Sequence, residues 1–156
     1  MTEPLAQLIA RHAGPGRLTW IGRRPARLAP MEALDAVWIA EDGLDGDRSR
    51  AGKRAATLIQ AEHLEAVRAL ARAPGAGFAD LRRNLAVAGI NLIGLKTREV
   101  AVGEAVLRIT GICAPCSRME AALGPGGYSA LRGHGGVTAE VLRPGRAALG
   151  DAVRPV

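Results

Sequence analysis

The sequence predicts a mainly β fold with a few short helices, arranged as a small mixed or antiparallel β-barrel. Twenty glycines and nine prolines in 156 residues divide the chain into many short segments, which favours a β-rich fold over a helical bundle. Several of these segments have the apolar pattern of short strands. Aromatic residues make up only 3% of the chain, so alanine, leucine, valine and isoleucine must fill the core. The length suits one domain spanning residues 1–156.

The N-terminal part is predicted to hold a short extension followed by the first strand. The extension covers residues 1–17, where Thr2 can cap a short helix that stops at Gly14. The apolar face of that helix would consist of Leu5, Leu8 and Ile9. Residues 17–22 are predicted as a strand, whereas the apolar positions in 31–40 fit either a helix or a strand.

The middle of the chain contains the strongest helix signal. A polar, turn-rich loop at 43–50 precedes a short predicted strand at 56–59. Residues 61–73 then show an amphipathic pattern, with Leu64 and Val67 on one face and charged side chains on the others. The Ala-Pro-Gly sequence that follows ends this helix.

The C-terminal half is predicted to consist mainly of strands. Residues 85–87 form a short apolar run, and 89–94 are predicted as a turn followed by a strand. Residues 98–112 predict a hairpin, because apolar residues alternate on both sides of a turn at Gly103. Two further strands are predicted at 137–142 and 147–153.

The formal net charge of +6 comes almost entirely from arginine, because Lys53 and Lys96 are the only lysines. The guanidinium group is planar and always charged, and it suits phosphate and carboxylate groups. A small anionic ligand therefore explains the charge, and a solvated arginine-rich surface would give the same composition. Nucleic acid is a less favoured partner, because single-strand binders usually stack bases on aromatic side chains, which are scarce here.

The sequence predicts a cytoplasmic protein without a membrane partner. No apolar run reaches the ~18 residues that a membrane span needs. The N-terminus lacks the basic start and long apolar stretch of a secretory signal. In the cytoplasm, the two cysteines, Cys113 and Cys116, are expected as thiols or a reversible pair rather than a structural disulfide.

Cys116 is the main candidate for chemistry. It follows a strand-like segment and precedes Ser117 and Glu120, which have the spacing of a helix-capping box. A helix starting there would place the positive end of its dipole beside Cys116, and Arg118 would add a full positive charge. Both favour the thiolate, which can attack an electrophile, carry a persulfide or bind a soft metal.

Other interpretations of the cysteines remain open at this point. Cys116 could simply pack as a small apolar residue. Thioredoxin-like disulfide exchange is disfavoured by the hairpin-rich surroundings, since that motif normally belongs to a βαβ unit. An iron–sulfur cluster usually needs four thiolates, and a structural zinc site would need histidines that are scattered along the chain. These histidines are His12, His63 and His134.

Two further clusters could bind an anion. Arg82, Arg83 and Asn84 offer guanidinium groups and an amide, although such pairs more often lie on an exposed charged loop. The glycines between Gly43 and Arg48 allow close approach of a ligand to the backbone, although a tight turn explains them equally. His134 lies among glycines and could act as a general base or be a turn residue without function.

Together and in this order, the motifs resemble a MOSC domain, the type of domain found at the C terminus of molybdenum cofactor sulfurases and also in small standalone proteins. The matching segments are 43–48, 82–90, 102–105, 113–116, 135–142 and 149–153. The resemblance covers residues from about 18 to 156 and implies a β-barrel-rich domain.

The resemblance also implies a site. The reactive cysteine of the family corresponds to Cys116, which would carry sulfur as a persulfide or ligate molybdenum. Arg82 and Asn84 correspond to positions that contact the pterin cofactor, and Arg48 corresponds to a basic position in the Gly-Asp loop. Reduction of N-hydroxylated compounds, known from members with reductase activity, is a subsidiary expectation.

The leading hypothesis is a protein that binds a molybdenum–molybdopterin cofactor or carries sulfur on Cys116, with enzymatic activity left open. The desulfurase domain of the large sulfurases and the N-terminal barrel of the reductases are not expected here. Pyridoxal phosphate is likewise not expected, so a donor protein would supply sulfur or electrons. The alternative is a non-enzymatic basic module that docks nucleic acid or an acidic partner protein.

Overall fold

The computed structural model describes residues 2–156, which form short strands and a few short helices. The strands are β1 (Gly16–Arg23), β2 (Glu32–Leu34), β3 (Ala36–Ala40), β4 (Gly43–Leu44), β5 (Ala56–Gln60), β6 (Leu85–Ala88), β7 (Glu99–Val102), β8 (Ala105–Ile112), β9 (Val137–Arg143), β10 (Gly145–Ala148) and β11 (Ala152–Pro155). The helices are α1 (Leu5–Ala10), α2 (His63–Ala71), α3 (Phe78–Leu81), α4 (Arg118–Leu123), α5 (Gly127–Leu131) and a 3₁₀ helix at Leu92–Leu95.

Seven strands close into a barrel. Their order is β11-β7-β8-β9-β5-β6-β1, and the pairing of β1 with β11 completes the ring. Within the ring β5 and β6 run parallel, whereas the other neighbours are antiparallel. Strand β2 extends the sheet beside β1, and β10, β3 and β4 form a separate three-stranded sheet. The predicted fold class, a small mixed β-barrel with short helices, is therefore confirmed.

Two apolar clusters account for most of the buried side chains. One fills the barrel with valine, leucine, isoleucine and alanine from the strands. The other lies outside β5 and β6, where α2, α3, α4 and α5 cover residues such as Ile59, Leu81 and Met119. Strands β5 and β6 are thus covered on both faces, which explains why their sequences are continuous apolar runs rather than alternating patterns.

The N-terminal elements confirm some predictions and correct one. The first strand and the main helix are present, and the helix buries Val67. The ambiguous segment 31–40 forms two strands, β2 and β3. Thr2 is wrong as a helix cap, because α1 begins at Leu5 with Pro4 at the cap and no side-chain hydrogen bond there. None of the helices in residues 2–156 combines the length and apolar character that crossing a membrane requires.

Two C-terminal predictions also need correction. The segment 89–94 contains a turn and a 3₁₀ helix rather than a strand, because the Asn91 side chain accepts the Ile93 N–H and stabilises a tight turn. The predicted strand 147–153 is split into β10 and β11, because Asp151 accepts the Ala148 N–H and holds a turn between them. The hairpin of β7 and β8 is confirmed.

Candidate functional site

A cleft lies where the loops after β1 and β8 meet the chain leading into β6. Its volume is about 380 Å³, within the usual range for ligand sites. The arginines that line it are Arg24, Arg27, Arg48, Arg54, Arg82, Arg83 and Arg118. No lining residue carries a carboxylate. This arginine cleft therefore suits an anionic ligand.

Both cysteines border the arginine cleft as free thiols. Cys116 is exposed, whereas Cys113 is only 2% exposed. The Cys113 N–H donates to the Gly136 carbonyl at 2.9 Å, which ties the start of the loop to the segment before β9. The Cys116 carbonyl accepts the Met119 N–H at 2.9 Å at the start of α4. The fold thus presents one accessible thiol and one buried thiol to the same cleft.

The predicted capping box at Ser117 and Glu120 is wrong. Ser117 stands at the start of α4 but makes no side-chain capping hydrogen bond. The Glu120 carboxylate instead accepts the N–H groups of Gly126 and Tyr128, each at 3.1 Å, and these bonds lower its pKa. Glu120 therefore connects α4 to α5, and arginines are the charged residues that line the cleft together with the cysteines.

Arg82 shares an electrostatic environment with Cys116. Its pKa lies below the usual value, mainly because of burial and then because of repulsion from Arg118 and Arg24, with Cys116 and Asp47 partly opposing the shift. The Arg82 Nη1 donates to the Ala29 carbonyl at 2.7 Å, which fixes the loop after β1. Repulsion among these guanidinium groups favours binding of an anion between them.

Arg83 is the buried cation of the site, only 6% exposed. Its Nε donates to the Gly135 carbonyl at 2.8 Å and its Nη2 donates to the Ala114 carbonyl at 3.2 Å. Its Nη1 donates to the Leu81 carbonyl at 3.0 Å. These carbonyls satisfy donors of the guanidinium group but do not neutralise its charge. Arg83 therefore joins the cysteine loop to the loop before β9.

Asn84 is fully buried and does not line the cleft. Its Oδ1 accepts the Thr57 N–H at 3.0 Å and the Thr57 hydroxyl at 3.1 Å, and its Nδ2 donates to the Gly22 carbonyl at 3.2 Å. Thr57 is the residue that reaches the cleft. The side chain of Asn84 thus joins β1, β5 and the start of β6 beneath the cleft.

The Gly-Asp loop contributes Arg48 to the cleft and Asp47 to its support. Arg48 is exposed, and its backbone N–H donates to the Arg24 carbonyl at 2.7 Å. Asp47 has a fully buried side chain that accepts hydrogen bonds from the guanidinium group and backbone N–H of Arg24. Burial alone would raise the pKa of Asp47, but these bonds and the charge of Arg24 outweigh it and lower the pKa.

We expect Asp47→Asn to lower the free energy of unfolding at neutral pH by about 1.5–3 kcal/mol, because the charged hydrogen bonds to Arg24 weaken. In the wild type this contribution is complete above the ordinary aspartate pKa of about 3.9 and is lost as the pH falls through the lower folded-state pKa. Urea unfolding at several pH values measures both effects. The control is Asp45→Asn, at an exposed neighbour, which should change stability by less than about 0.5 kcal/mol. An equal loss in both variants would contradict this role of Asp47.

Gly135 and Gly136 allow the segment before β9 to approach the cysteine loop closely. A Cβ on Gly135 would collide with the Cys113 carbonyl and lie 3.2 Å from the Arg83 Nη2. Gly136 has φ +85° and would place a Cβ against the Leu58 carbonyl. Glycine is required at these positions because no other residue leaves room for the neighbouring backbone.

The family comparison matches this arrangement of motifs. The family model for the MOSC domain matches residues 27–154. The chain belongs to the MOSC domain family. The match begins slightly later than the region from about residue 18 that the sequence motifs covered.

Solved structures share the MOSC fold at low sequence identity. The YuaD protein from Bacillus subtilis has a TM-score of 0.77 and 18% identity, over 90% of this chain and 94% of that chain. YiiM from Escherichia coli has a TM-score of 0.68 and 19% identity, over 90% and 69%. YiiM from Geobacillus stearothermophilus has a TM-score of 0.71 and 16% identity, over 91% and 75%. No curated protein matches the sequence.

MOSC domains are associated with the molybdenum cofactor and with sulfur chemistry, and the residues of the arginine cleft fit such a group. The guanidinium groups can hold the phosphate of a pterin cofactor. The exposed Cys116 offers the soft sulfur donor that a thiophilic metal needs. The chemistry of these donors therefore agrees with the family association.

The histidines do not belong to the cleft. His134 packs edge-on against His63, with ring centroids 4.9 Å apart, and its Nδ1 is buried without a hydrogen-bond partner in the described chain. Burial and the charge of His134 lower the pKa of His63. Residues 2–156 contain no cluster of three or more potential metal-binding side chains. His134 does not line the arginine cleft, so the interpretation of His134 as a general base gains no support.

Sequence reasoning missed several residues of this MOSC cleft. Thr57 received no role, and Arg83 was considered only as a member of the Arg-Arg-Asn cluster, not as a buried contact of the cysteine loop. Arg24, Arg27 and Arg54 were also missed, because they lie in parts of the sequence without a recognised motif. A possible signal was the strong preference for arginine over lysine throughout the chain, but composition alone does not show which arginines converge.

Proposed function

We propose that the arginine cleft binds an anionic molybdenum–pterin cofactor and that Cys116 is the ligand to molybdenum or the carrier of a persulfide sulfur. The observation that carries the proposal is one exposed thiol in a cleft that has seven arginines and no carboxylate. When bound, the cofactor would supply a redox-active metal and a site for sulfur chemistry. Family membership supports the same assignment.

The residues of the cleft would have different tasks. Arg82 and Arg118 would hold the anionic group near Cys116, and Arg48 at the exposed edge would attract the ligand from solution. Asn84 would act from beneath the cleft by fixing Thr57, rather than by contacting the pterin. Reduction of N-hydroxylated compounds would additionally require an electron-donor protein.

Anaerobic incubation with the molybdenum cofactor, followed by gel filtration and metal analysis, tests the proposal. We expect the wild type and Cys113→Ser to retain molybdenum, since Cys113 is buried. A lower retention by Cys116→Ser would identify Cys116 as a metal ligand, whereas equal retention combined with a persulfide on wild-type Cys116 would identify a sulfur carrier. Near-zero molybdenum in all three proteins would refute cofactor binding.

Salt-dependent binding to single-stranded RNA and DNA separates this proposal from the basic binding module. No aromatic side chain lines the arginine cleft, so the cleft lacks the stacking surface that single strands usually use. We expect weak binding that disappears at moderate salt. Tight binding that Arg82→Ala weakens and Cys116→Ser leaves unchanged would favour the binding module instead.

A further inference from the structure

The arginine cleft has more positive charge than its own carboxylates neutralise. Among the described residues, only Arg24 of the seven lining arginines forms an ion pair, with Asp47. The six lining arginines that form no ion pair in the described chain include Arg83, which is buried. A buried cation without a counter-charge is costly, so an anionic ligand is expected beside it. This ligand must also be compatible with the thiol of Cys116, which borders the same cleft.

Arg83 still has donors for such a ligand. A guanidinium group has five N–H donors, and backbone carbonyls take three from Arg83. One of these carbonyls belongs to Ala114, two residues before Cys116, so the guanidinium group is fixed against the cysteine loop. Arg118 follows Cys116 closely in sequence and lines the cleft without a hydrogen-bonded side-chain partner in the described chain. Together they offer free N–H donors to a small oxyanion in the cleft that Cys116 borders.

We propose that Cys116 accepts sulfur directly from a sulfane-sulfur oxyanion of the thiosulfate class, with Arg83 and Arg118 binding the sulfonate group. This inference rests on the sulfur-carrier form of the proposed function and names the donor. The Cys116 thiolate attacks the outer sulfur of thiosulfate, a new S–S bond forms, and the original S–S bond breaks. Sulfite leaves with the bonding electron pair, and the enzyme keeps a persulfide anion on Cys116.

Two features of the cleft favour an oxyanion donor over other sources of sulfur. The arginines would stabilise the charge that develops on the departing sulfite, which is the demanding part of the step. The alternative source, a pyridoxal-phosphate desulfurase site, would need a lysine for its Schiff base. Neither lysine of the chain lines the cleft beside Cys116. A nucleophilic acceptor such as cyanide would then remove the outer sulfur as thiocyanate and regenerate the thiolate, which provides a turnover assay.

The test uses the full chain without molybdenum and thiosulfate as the probe. We expect sulfite release, a gain of one sulfur atom by intact mass spectrometry, and thiocyanate formation when cyanide is added. Cys116→Ser should abolish all three readouts, whereas Cys113→Ser should retain the persulfide. Arg118→Ala should lower kcat/KM for thiosulfate by about tenfold, as expected from the loss of one charged contact.

Arg83→Lys tests the buried receptor while keeping a positive charge, and circular dichroism and urea unfolding check that it folds. The matched control is Arg154→Ala, an exposed arginine on β11 outside the cleft, which should keep full activity. Wild-type rates in Arg83→Lys and Arg118→Ala would overturn the oxyanion receptor. The wild type could retain molybdenum in the cofactor assay and yet form no persulfide from thiosulfate. That result would overturn this inference and leave cofactor binding intact. Loading from an uncharged sulfane donor but not from thiosulfate would overturn it as well.

Discussion

Gly136→Ala is expected to lower the free energy of unfolding by about 3–4 kcal/mol, because two penalties combine at this position. Gly136 has φ +85°, a conformation that strains residues with a Cβ. The added Cβ would also meet the Leu58 carbonyl and lie 2.9 Å from the Ile59 Cα, so β5 would have to move. Urea unfolding followed by circular dichroism measures the loss.

The matched control is Gly133→Ala, three residues earlier. Gly133 has φ +81°, but a Cβ there meets no atom within 4 Å. Only the conformational penalty applies, so we expect a loss of about 1–2 kcal/mol. Equal losses in the two variants would show that crowding against β5 is unimportant.

Because the Gly136 carbonyl accepts the Cys113 N–H, Gly136→Ala should also alter the alkylation rate of Cys116, which the control Gly133→Ala should not do.

Asn84→Ala is expected to lower the free energy of unfolding by about 3 kcal/mol, because it removes a fully buried amide and the hydrogen bonds that this amide makes. The Thr57 N–H and the Gly22 carbonyl would both lose a partner inside the barrel wall. Arg82→Ala is the informative comparison, since Arg82 lines the cleft. The Arg82→Ala substitution should lower the free energy of unfolding by only about 1 kcal/mol but weaken cofactor binding by tenfold or more.

Urea unfolding and cofactor binding of the two variants separate a supporting role from direct contact. We expect Asn84→Ala to be less stable than the wild type but to bind cofactor normally at temperatures where it remains folded. A variant of Asn84 that is as stable as the wild type but fails to bind cofactor would show that the amide contacts the ligand. That outcome would restore the direct role implied by the family resemblance.

Local patterns predicted the fold well where the decisive contacts are close in sequence. The hairpin at 98–112 depends on alternation and a tight turn, and β7 and β8 pair across Gly103 as expected. The prediction at 89–94 was wrong because two bonds act together: besides the local bond from Ile93 N–H to Asn91, the Gln60 side chain at the end of β5 accepts the Leu92 N–H. The capping box failed for a similar reason, since the Glu120 carboxylate binds the N–H groups at the start of α5.

The sequence by itself determined the fold class, the family and the identity of Cys116 as the reactive candidate, because each depends on the order and spacing of short motifs. The tertiary structure alone decided how the site is built. It brings arginines from separate loops to one cleft, buries Arg83 and places Asn84 beneath Thr57. Convergence and burial depend on how distant strands pair around the closed barrel, and motif spacing along the chain does not contain that information.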